Sequence, residues 1–543
     1  MINNSLTTPI PDALNPNGYR SFTDFADQHL SLKPFAPAFT SLGATLSYRE
    51  LDRYSRAFTH YLQNRTDLQP GDRIGIQLPN LLHYPIVVYG ALRAGMVVVN
   101  TNPLYTEREM RQQFIDSNVK LLVVHQSMAS KVQSIISDTE IKEVLITRLG
   151  DFQSTLKGAL LNFAAKYVKR MEPSYTLNKA NFLLDVLFDC VDKPIQPVEL
   201  SHNDVAVLQY TGGTTGEPKA AILTQGNLLA NILQAQERLS RIDSRWSDNI
   251  LLPLPLYHIY AFMMSQVVVA ASGHTTLVPN PRDLKSLVKL FKAANLTSFI
   301  GLNTLFVALC RLDSFKACNF DALKLTLSGG MALTEAAADR WQTLTGSVII
   351  DAYGLSEASP GVATDLPEAP IGNTIGKPVL FTEVSIRNKE GAEVEKGQAG
   401  ELWVRGPQVM AGYWNREDST NETLTADRWL KTGDICFHDE QGYLHIVDRA
   451  KDLIIVSGFN VYPQEVEDQA TKFEGVLEAA VVGVPDERTG EEVWIYVTAD
   501  GAIKDDELLA FLRDRLAAYK LPRRILRRES LPKNPVGKVL RRV

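Results

Sequence analysis

Ten consecutive residues, Tyr210-Thr-Gly-Gly-Thr-Thr-Gly-Glu-Pro-Lys219, combine backbone freedom, hydroxyl donors and a terminal cation. That chemistry suits phosphate. Glycine lets backbone N–H groups approach phosphoryl oxygens with no Cβ in the way, threonine adds donors, and Lys219 adds charge. A Walker loop is excluded because the order G-x-x-x-x-G-K-[ST] is absent and Pro218 precedes the lysine. Three glycines alone read equally well as an ordinary turn, so other strings must weigh in.

Four more strings carry reactive groups. In Tyr353-Gly-Leu-Ser-Glu357 a ring beside glycine can stack on a flat base, while Ser356 and the hard carboxylate of Glu357 suit Mg2+ beside phosphates. In Leu430-Lys-Thr-Gly-Asp434 a carboxylate after a turn can accept two hydrogen bonds from a diol, and Arg449 of Asp448-Arg-Ala-Lys451 offers donors; a surface ion pair is the plainer account of both. Lys538, in Pro532-Lys-Asn-Pro-Val-Gly-Lys538, is the kind of positioned ammonium that offsets charge building up in phosphoryl transfer. A solvated lysine in a basic tail is its alternative, since 520–542 carries nine basic residues and one acid, Glu529. His258, in Pro255-Leu-Tyr-His-Ile-Tyr260, stands among apolar residues, where a histidine is more often a satisfied core group than a reactive one.

These residues need a scaffold, and the pattern around them supplies one. Arg73 to Leu78 reads as a strand, Tyr84 to Arg93 as a helix and Met96 to Asn100 as a second strand. Thr106 and Glu109 have capping-box spacing for a helix through Phe114, with Leu121 to Val124 as a buried strand after it. The alternation predicts an α/β fold with parallel sheet. Strand-like runs recur at Val205 to Tyr210, Lys324 to Leu327 and Val348 to Asp351, each leading into a glycine-rich turn, and ligands favour such carboxyl ends of strands. The last hundred residues change character, with strands at Ala479 to Val484 and Val493 to Val497 and a helix at Asp505 to Leu516, which predicts a small α+β domain.

At 543 residues the chain exceeds what one core organises, so at least two domains are expected. With 45% hydrophobic residues and a formal charge of −6, fibrous and disordered classes are excluded, and so is nucleic-acid binding through global positive charge. Four cysteines without short metal spacing fit a reducing cytoplasm. The first residues lack the basic start and apolar stretch of a secretory signal, and no apolar run reaches membrane-spanning length. Within 151–171, Leu156, Leu160, Phe163, Ala164, Tyr167, Val168 and Met171 fall on one helical face flanked by Lys157, Lys166, Lys169 and Arg170. Packing on its own domain is the expectation for one apolar stripe; lying on an anionic membrane surface is the alternative.

Taken together, the five strings resemble the motifs of the adenylate-forming acyl-CoA synthetases, in that family's order, across roughly residues 20 to 543. Ile454-Ile-Val-Ser-Gly-Phe-Asn-Val-Tyr-Pro463 is most similar to the bacterial long-chain fatty acid–CoA ligases. The resemblance implies a large AMP- and acyl-binding domain over 1–448 and a mobile carboxy-terminal domain over 449–543. It implies ATP and CoA as co-substrates, with Mg2+ held by Glu357 and Thr214. Nucleotide contacts fall to Thr211, Gly212, Gly213, Thr214, Thr215, Gly216 and Lys219 in the first string, and to Gly329 and Gly330 of Ser328-Gly-Gly-Met331 beside the adenine. Tyr353, Gly354 and Ser356 also belong there, Tyr353 packing on adenine, with Asp434 and Arg449 at the ribose.

Lys538 is the catalytic lysine by resemblance, Glu357 its partner in catalysis through the metal, and His258 lies near the reacting carboxylate. His258, Tyr260 and Phe262 would line the acyl pocket; Tyr260, Phe262, Met263 and Met264 could instead fill core, a reading at least as strong for the two methionines. Lys451 takes the hinge position, where many relatives carry Asp, and Ser457, Gly458, Phe459 and Asn460 take the CoA side. The implied reaction activates a fatty acid as its adenylate and passes it to CoA, releasing AMP and pyrophosphate. A medium-chain or aryl acid–CoA ligase and a fatty acyl–AMP ligase share these motifs, and a catalytically silent lipid-binding protein is the alternative from another class. The resemblance also implies a cytoplasmic protein with no nucleic-acid partner, and it allows a homodimer and peripheral contact with the inner face of the membrane. The chain stops five residues after Lys538, so that segment is expected to be firm only if docked.

Overall fold

A computed structural model describes residues 7–177, 180–211, 218–372, 374–457, 459–486, 488–501, 503–534 and 538–541. The chain forms two compact units. The first comprises Met1–Ile300, Gly354–Gly361 and Gly406–Arg428; the second comprises Gly301–Tyr353, Val362–Arg405 and Trp429–Val543.

The first unit is built on the alternation read from the sequence. Seven strands lie in the order Ala180–Phe182, Glu143–Thr147, Val119–His125, Arg73–Gln77, Val97–Asn100, Val205–Thr211 and Lys219–Thr224. Every neighbouring pair is parallel except the last, an antiparallel hairpin. The central strands are largely apolar because both faces are covered: Val97, Val98 and Val99 are all buried. Helix His83–Arg93 is buried throughout. Helix Glu107–Ser117 begins with the expected capping box, Thr106 and Glu109 each satisfying the other's backbone N–H. A second layer pairs Ser298–Gly301, Ile250–Leu252, Thr275–Leu277 and Pro37–Ser41 in parallel, with Ala44–Ser47 closing a hairpin on the last.

One expectation fails in this unit. The segment predicted as a single packed helix is an α-helix over Thr155–Phe163 that widens into a π-turn over Ala164–Val168, ending before Met171. Its apolar stripe faces outward: Leu156 is 76% exposed, Phe163 57%, Tyr167 60% and Val168 66%. The helix docks through small and polar residues instead. The Gly158 and Gly150 backbones approach so closely that a Cβ on Gly150 would lie 2.3 Å from the Gly158 carbonyl oxygen. The Gly150 N–H donates to Asn162, Lys157 donates to the Leu42 carbonyl, and Ala165 is buried.

In the second unit Leu325–Gly329 and Ile349–Gly354 run parallel, with Ser328 level with Asp351 and Gly329 with Ala352. Four antiparallel strands follow, Glu383–Arg387, Gly400–Arg405, Leu430–His438 and Leu444–Arg449. The carboxy-terminal part then forms its own mixed sheet: Phe459–Val461, Ile454–Val456, Gly490–Ala499 and Val476–Asp486 are antiparallel, and Arg524–Arg527 adds parallel to Gly490–Ala499. Helices Pro463–Thr471 and Asp505–Arg513 cover it, and Val461, Val466, Val481, Ile495, Leu508 and Leu512 form a core drawn from this stretch alone. The helix read as Asp505 to Leu516 ends three residues earlier. None of the four cysteines is in a disulfide. Among the described residues no helix is long and apolar enough to cross a membrane.

Candidate active site

In the first unit the glycine- and threonine-rich string begins in the strand Val205–Thr211 and ends in its antiparallel partner Lys219–Thr224. Gly212, Gly213, Thr214, Thr215, Gly216 and Gly458 lie outside the described residues. The flanking ends are fixed: Thr211 is registered against Lys219, and its hydroxyl donates to the Lys219 carbonyl at 3.2 Å. The preceding residue, Tyr210, donates to Asp116 at 2.6 Å, and Asp116 is paired with Arg416 at 3.0 Å.

Lys219 and Glu357 meet at one side chain that the sequence did not single out. The Lys219 ammonium stands 5.5 Å from the centre of the Tyr413 ring, and the Tyr413 hydroxyl donates to Glu357 Oε1 at 2.7 Å. Burial, then the Glu357 charge, push the Tyr413 hydroxyl well above its ordinary pKa, so it stays a donor. Tyr413 is held because 411–414 runs along the second hairpin strand: the Ile222 N–H donates to Gly412, and those of Ala411 and Trp414 donate to Ile222 and Ala220. The Gly412-Tyr-Trp414 cluster ahead of a polar helix was the available signal.

Glu357 sits on a short turn, Ser356–Ala358, whose backbone also binds the Met410 N–H. Ser356 opens the turn half-buried. The turn doubles back so tightly that the Leu355 N–H donates to the Pro360 carbonyl, and a Cβ on Gly354 would fall 2.2 Å from that oxygen. Only glycine fits there. A magnesium ion shared with substrate phosphates needs one or two carboxylates rather than a closed protein cage, and the Glu357 carboxylate, with one oxygen engaged by Tyr413, fits that demand.

His258 is set from below by buried amides. Asn80 donates to the Leu254 carbonyl at 2.8 Å and accepts from the Leu256 N–H at 2.9 Å. Gln209 donates to the Tyr257 carbonyl at 3.2 Å and accepts from Asn100, which in turn accepts from Tyr84. These bonds fix the loop up to His258, which precedes helix Ile259–Ala270. That helix is buried on every side, with Tyr260 8% and Phe262 0% exposed. That burial suits core filling and the wall of a closed pocket alike for Tyr260, Phe262, Met263 and Met264.

In the second unit Gly329 ends its strand and Gly330 takes a positive φ of 80°, turning the chain away beside Tyr353 on the next strand. The Tyr353 hydroxyl donates to Asp434 Oδ2 at 2.5 Å, while Arg449 Nε lies 3.0 Å from Asp434 Oδ1. Asp434 and Arg449 are also cross-strand partners, so the sheet itself delivers them to each other. Burial, then the Asp434 charge, hold the Tyr353 hydroxyl well above its ordinary pKa. Lys538 belongs to the same electrostatic neighbourhood. Burial, helped by Arg449 and Arg541 and opposed by Asp434 and Asp452, brings its ammonium down to about 8. Asp351, not anticipated from the sequence, faces Ser328 across the strand pair, and burial pushes its carboxyl up to about 8.

The remaining predicted residues lie on the carboxy-terminal part. Lys451 is exposed in the turn Ala450–Asp452. Ser457, Phe459 and Asn460 are exposed at the tip of the Ile454–Val456 and Phe459–Val461 hairpin, where Phe459 stacks on Tyr519 with ring centres 4.9 Å apart. The structure thus groups Lys219 with Glu357 in one unit, and Tyr353 with Asp434, Arg449 and Lys538 in the other.

Residues 26–414 match the AMP-binding enzyme family, and residues 465–538 match the AMP-binding enzyme C-terminal domain. The chain is 43% identical over 535 residues to a long-chain-fatty-acid–CoA ligase of Haemophilus influenzae, covering 98% of this chain and 95% of that one. It is 42% identical over 538 residues to the ligase of the same name from Yersinia pestis, with the same coverage of each chain. Among solved structures it is similar to ATP-bound MatB from Rhodopseudomonas palustris, with a TM-score of 0.83 and 26% identity, covering 96% of this chain and 97% of that one.

Proposed function

This chain belongs to the AMP-binding enzyme family, and from that membership and its site we infer that it is an ATP-dependent long-chain fatty acid–CoA ligase. A fatty acid carboxylate oxygen attacks the α-phosphorus of ATP and pyrophosphate leaves, giving an acyl adenylate. The CoA thiolate then attacks the acyl carbon and AMP leaves.

The observation that supports this reading is that the charges of Arg449 and Asp434 act on Lys538, while Asp434 is itself held by Arg449 and Tyr353. Asp434 and Arg449 suit a ribose diol, and a half-buried ammonium beside them would offset the repulsion between the incoming carboxylate and the phosphate as charge builds. Lys219 would serve the β- and γ-phosphates, and Glu357 with Thr214 would hold Mg2+, which neutralises phosphate charge when bound. His258, Tyr260 and Phe262 belong at the acyl side, and Ser457, Gly458, Phe459 and Asn460 at the pantetheine side. Because the two steps need different neighbours at the same carbonyl, residues 449–543 swing about Lys451 between them.

The exposed stripe of Leu156, Leu160, Phe163, Tyr167 and Val168, with Lys166, Lys169 and Arg170 beside it, favours an anionic membrane surface over packing on the protein itself. Membrane contact would bring the enzyme to its poorly soluble substrate. Replacing Lys166 and Lys169 with glutamine should weaken binding to anionic vesicles by roughly thirtyfold, at about 1 kcal/mol per basic residue. Unchanged binding would remove this helix from the membrane contact.

The function itself is tested by measuring pyrophosphate release and thioester formation over carboxylic acids of increasing length, with and without CoA. Long-chain acids should give the highest kcat/KM, with thioester as product. A preference for aryl or medium-chain acids, or adenylate released without thioester, would replace this reading by one of its neighbours.

A further inference from the structure

Lys538 lies in a small hairpin near the end of the chain. The Lys538 N–H donates to Asn534 Oδ1 and the Asn534 N–H donates to the Lys538 carbonyl, both at 2.8 Å, while Lys533 bridges to Val539. Each leg is then tied by charge. Lys533 pairs with Glu478 at 2.7 Å, a partner inside the carboxy-terminal sheet. The other leg ends in Arg541, which hydrogen-bonds two carboxylates and has Asp452 Oδ2 3.6 Å from its Nη1. Its Nε and Nη2 bind both oxygens of Glu467 at 2.8 and 2.6 Å, and its Nη1 binds Asp448 Oδ1 at 2.6 Å.

The two anchors of Arg541 lie on opposite sides of Lys451. Glu467, on helix Pro463–Thr471, belongs to the part that carries the hairpin, whereas Asp448 ends the four-stranded sheet next to Arg449. Asp448 is only 2% exposed, and its second oxygen accepts the Gln464 N–H at 2.8 Å, again from across Lys451. Among the described residues, Lys472 with Glu335 and Arg311 with Asp500 span the same divide, but their side chains are substantially exposed and such pairs hold little. The Arg541–Asp448 pair is sheltered and lies three residues from the catalytic lysine.

We propose that Arg541 is a positioning residue: it latches the Lys538 hairpin to Asp448 for adenylate formation, and the latch must open before the CoA step. This rests on the reading of Lys451 as pivot and Lys538 as the lysine of the first step. Glu467 keeps Arg541 folded onto its own part when the latch is open, so the arginine is never left without a carboxylate. Burial works against the Arg541 charge, yet the two carboxylates outweigh it and hold its pKa above the ordinary guanidinium value.

The test separates the half-reactions in the full-length enzyme. Asp448→Asn keeps the shape of the side chain and an acceptor for Gln464 while removing the charge that Arg541 binds; Arg541→Gln removes the other half. Both should lower fatty acid-dependent exchange of pyrophosphate into ATP at least tenfold, while thioester formation from supplied acyl adenylate stays within twofold of the parent enzyme or rises. Arg541→Gln should also move the alkaline limb of the exchange reaction to higher pH, because a positive neighbour of Lys538 has gone. A merely structural arginine predicts something else: both half-reactions fall together, Glu467→Gln is as damaging as Asp448→Asn, and the pH limb stays put. That result, or undiminished exchange in Asp448→Asn, overturns the latch. Lys451→Pro run alongside tells the two failures apart. If it leaves the CoA step untouched the pivot is misplaced, whereas a slowed CoA step with intact Asp448→Asn exchange condemns the latch alone.

Discussion

The loop before His258 and the hairpin around Lys538 each present a side chain assigned to the same reaction, yet they are held by opposite means. Asn80 and Gln209, themselves buried, grip the first through neutral hydrogen bonds, and leaving the buried ones unmade is expensive. The second is held by ion pairs instead, and Arg541 has Glu467 as an alternative partner to the buried Asp448. Burial makes a frame that does not change during turnover; charge makes an attachment that can be exchanged. A two-step enzyme needs both, and it places the exchangeable kind on the residue that serves one step.

The largest expected break in this comparison is Lys538→Ala. Adenylate formation should drop by roughly 10²- to 10³-fold, the usual loss for a positioned charge in a transition state, while thioester formation from supplied adenylate is largely spared. Rapid-quench assays of the two steps measure it, and equal loss in both would make Lys538 part of the fixed frame. Asn80→Ala attacks the other region. It leaves the Leu254 carbonyl and the Leu256 N–H buried without a partner, so denaturant unfolding should show a loss of about 2–4 kcal/mol, and both half-reactions should suffer alike.

Asp434→Asn sharpens the contrast within the second unit. The charge facing Arg449 and Tyr353 disappears but the shape remains, so KM for ATP should rise about tenfold, as expected for losing a hydrogen bond to a charged group. An unchanged KM would take Asp434 off the ribose. The mildest effect is that of pH. Lys538 is charged below its pKa of about 8 and loses its proton above it, so kcat/KM for ATP in the adenylation step should fall about threefold between pH 7.5 and 8.5. A flat profile there would mean that the ammonium is not needed in the free enzyme.

Much of the frame was legible before any coordinates. Alternating apolar runs gave the parallel strands of the first unit, and Thr106 with Glu109 gave a helix start to the residue, because these signals are local. Asp434 and Arg449 were legible as separate motifs, but their pairing needed strand register, which depends on residues far apart in the chain. Tyr413 escaped for the same reason: its role comes from packing 411–414 along a strand almost two hundred residues earlier. Arg541 was hidden in a basic run whose members look alike until Asp448 and Glu467 select one. The 155–168 helix went the other way. Its stripe was read correctly, but which face packs was decided by the meeting of Gly150 and Gly158, a close backbone contact that periodicity cannot show.

The central claim, that this chain joins a fatty acid to the α-phosphorus of ATP before CoA takes part, is met most directly by isotope exchange. Purified enzyme with ATP, Mg2+ and palmitate, but no CoA, should transfer label from pyrophosphate into ATP, and omitting palmitate should abolish the transfer. Label transfer that ignores palmitate, or none at all from folded enzyme, would contradict the account.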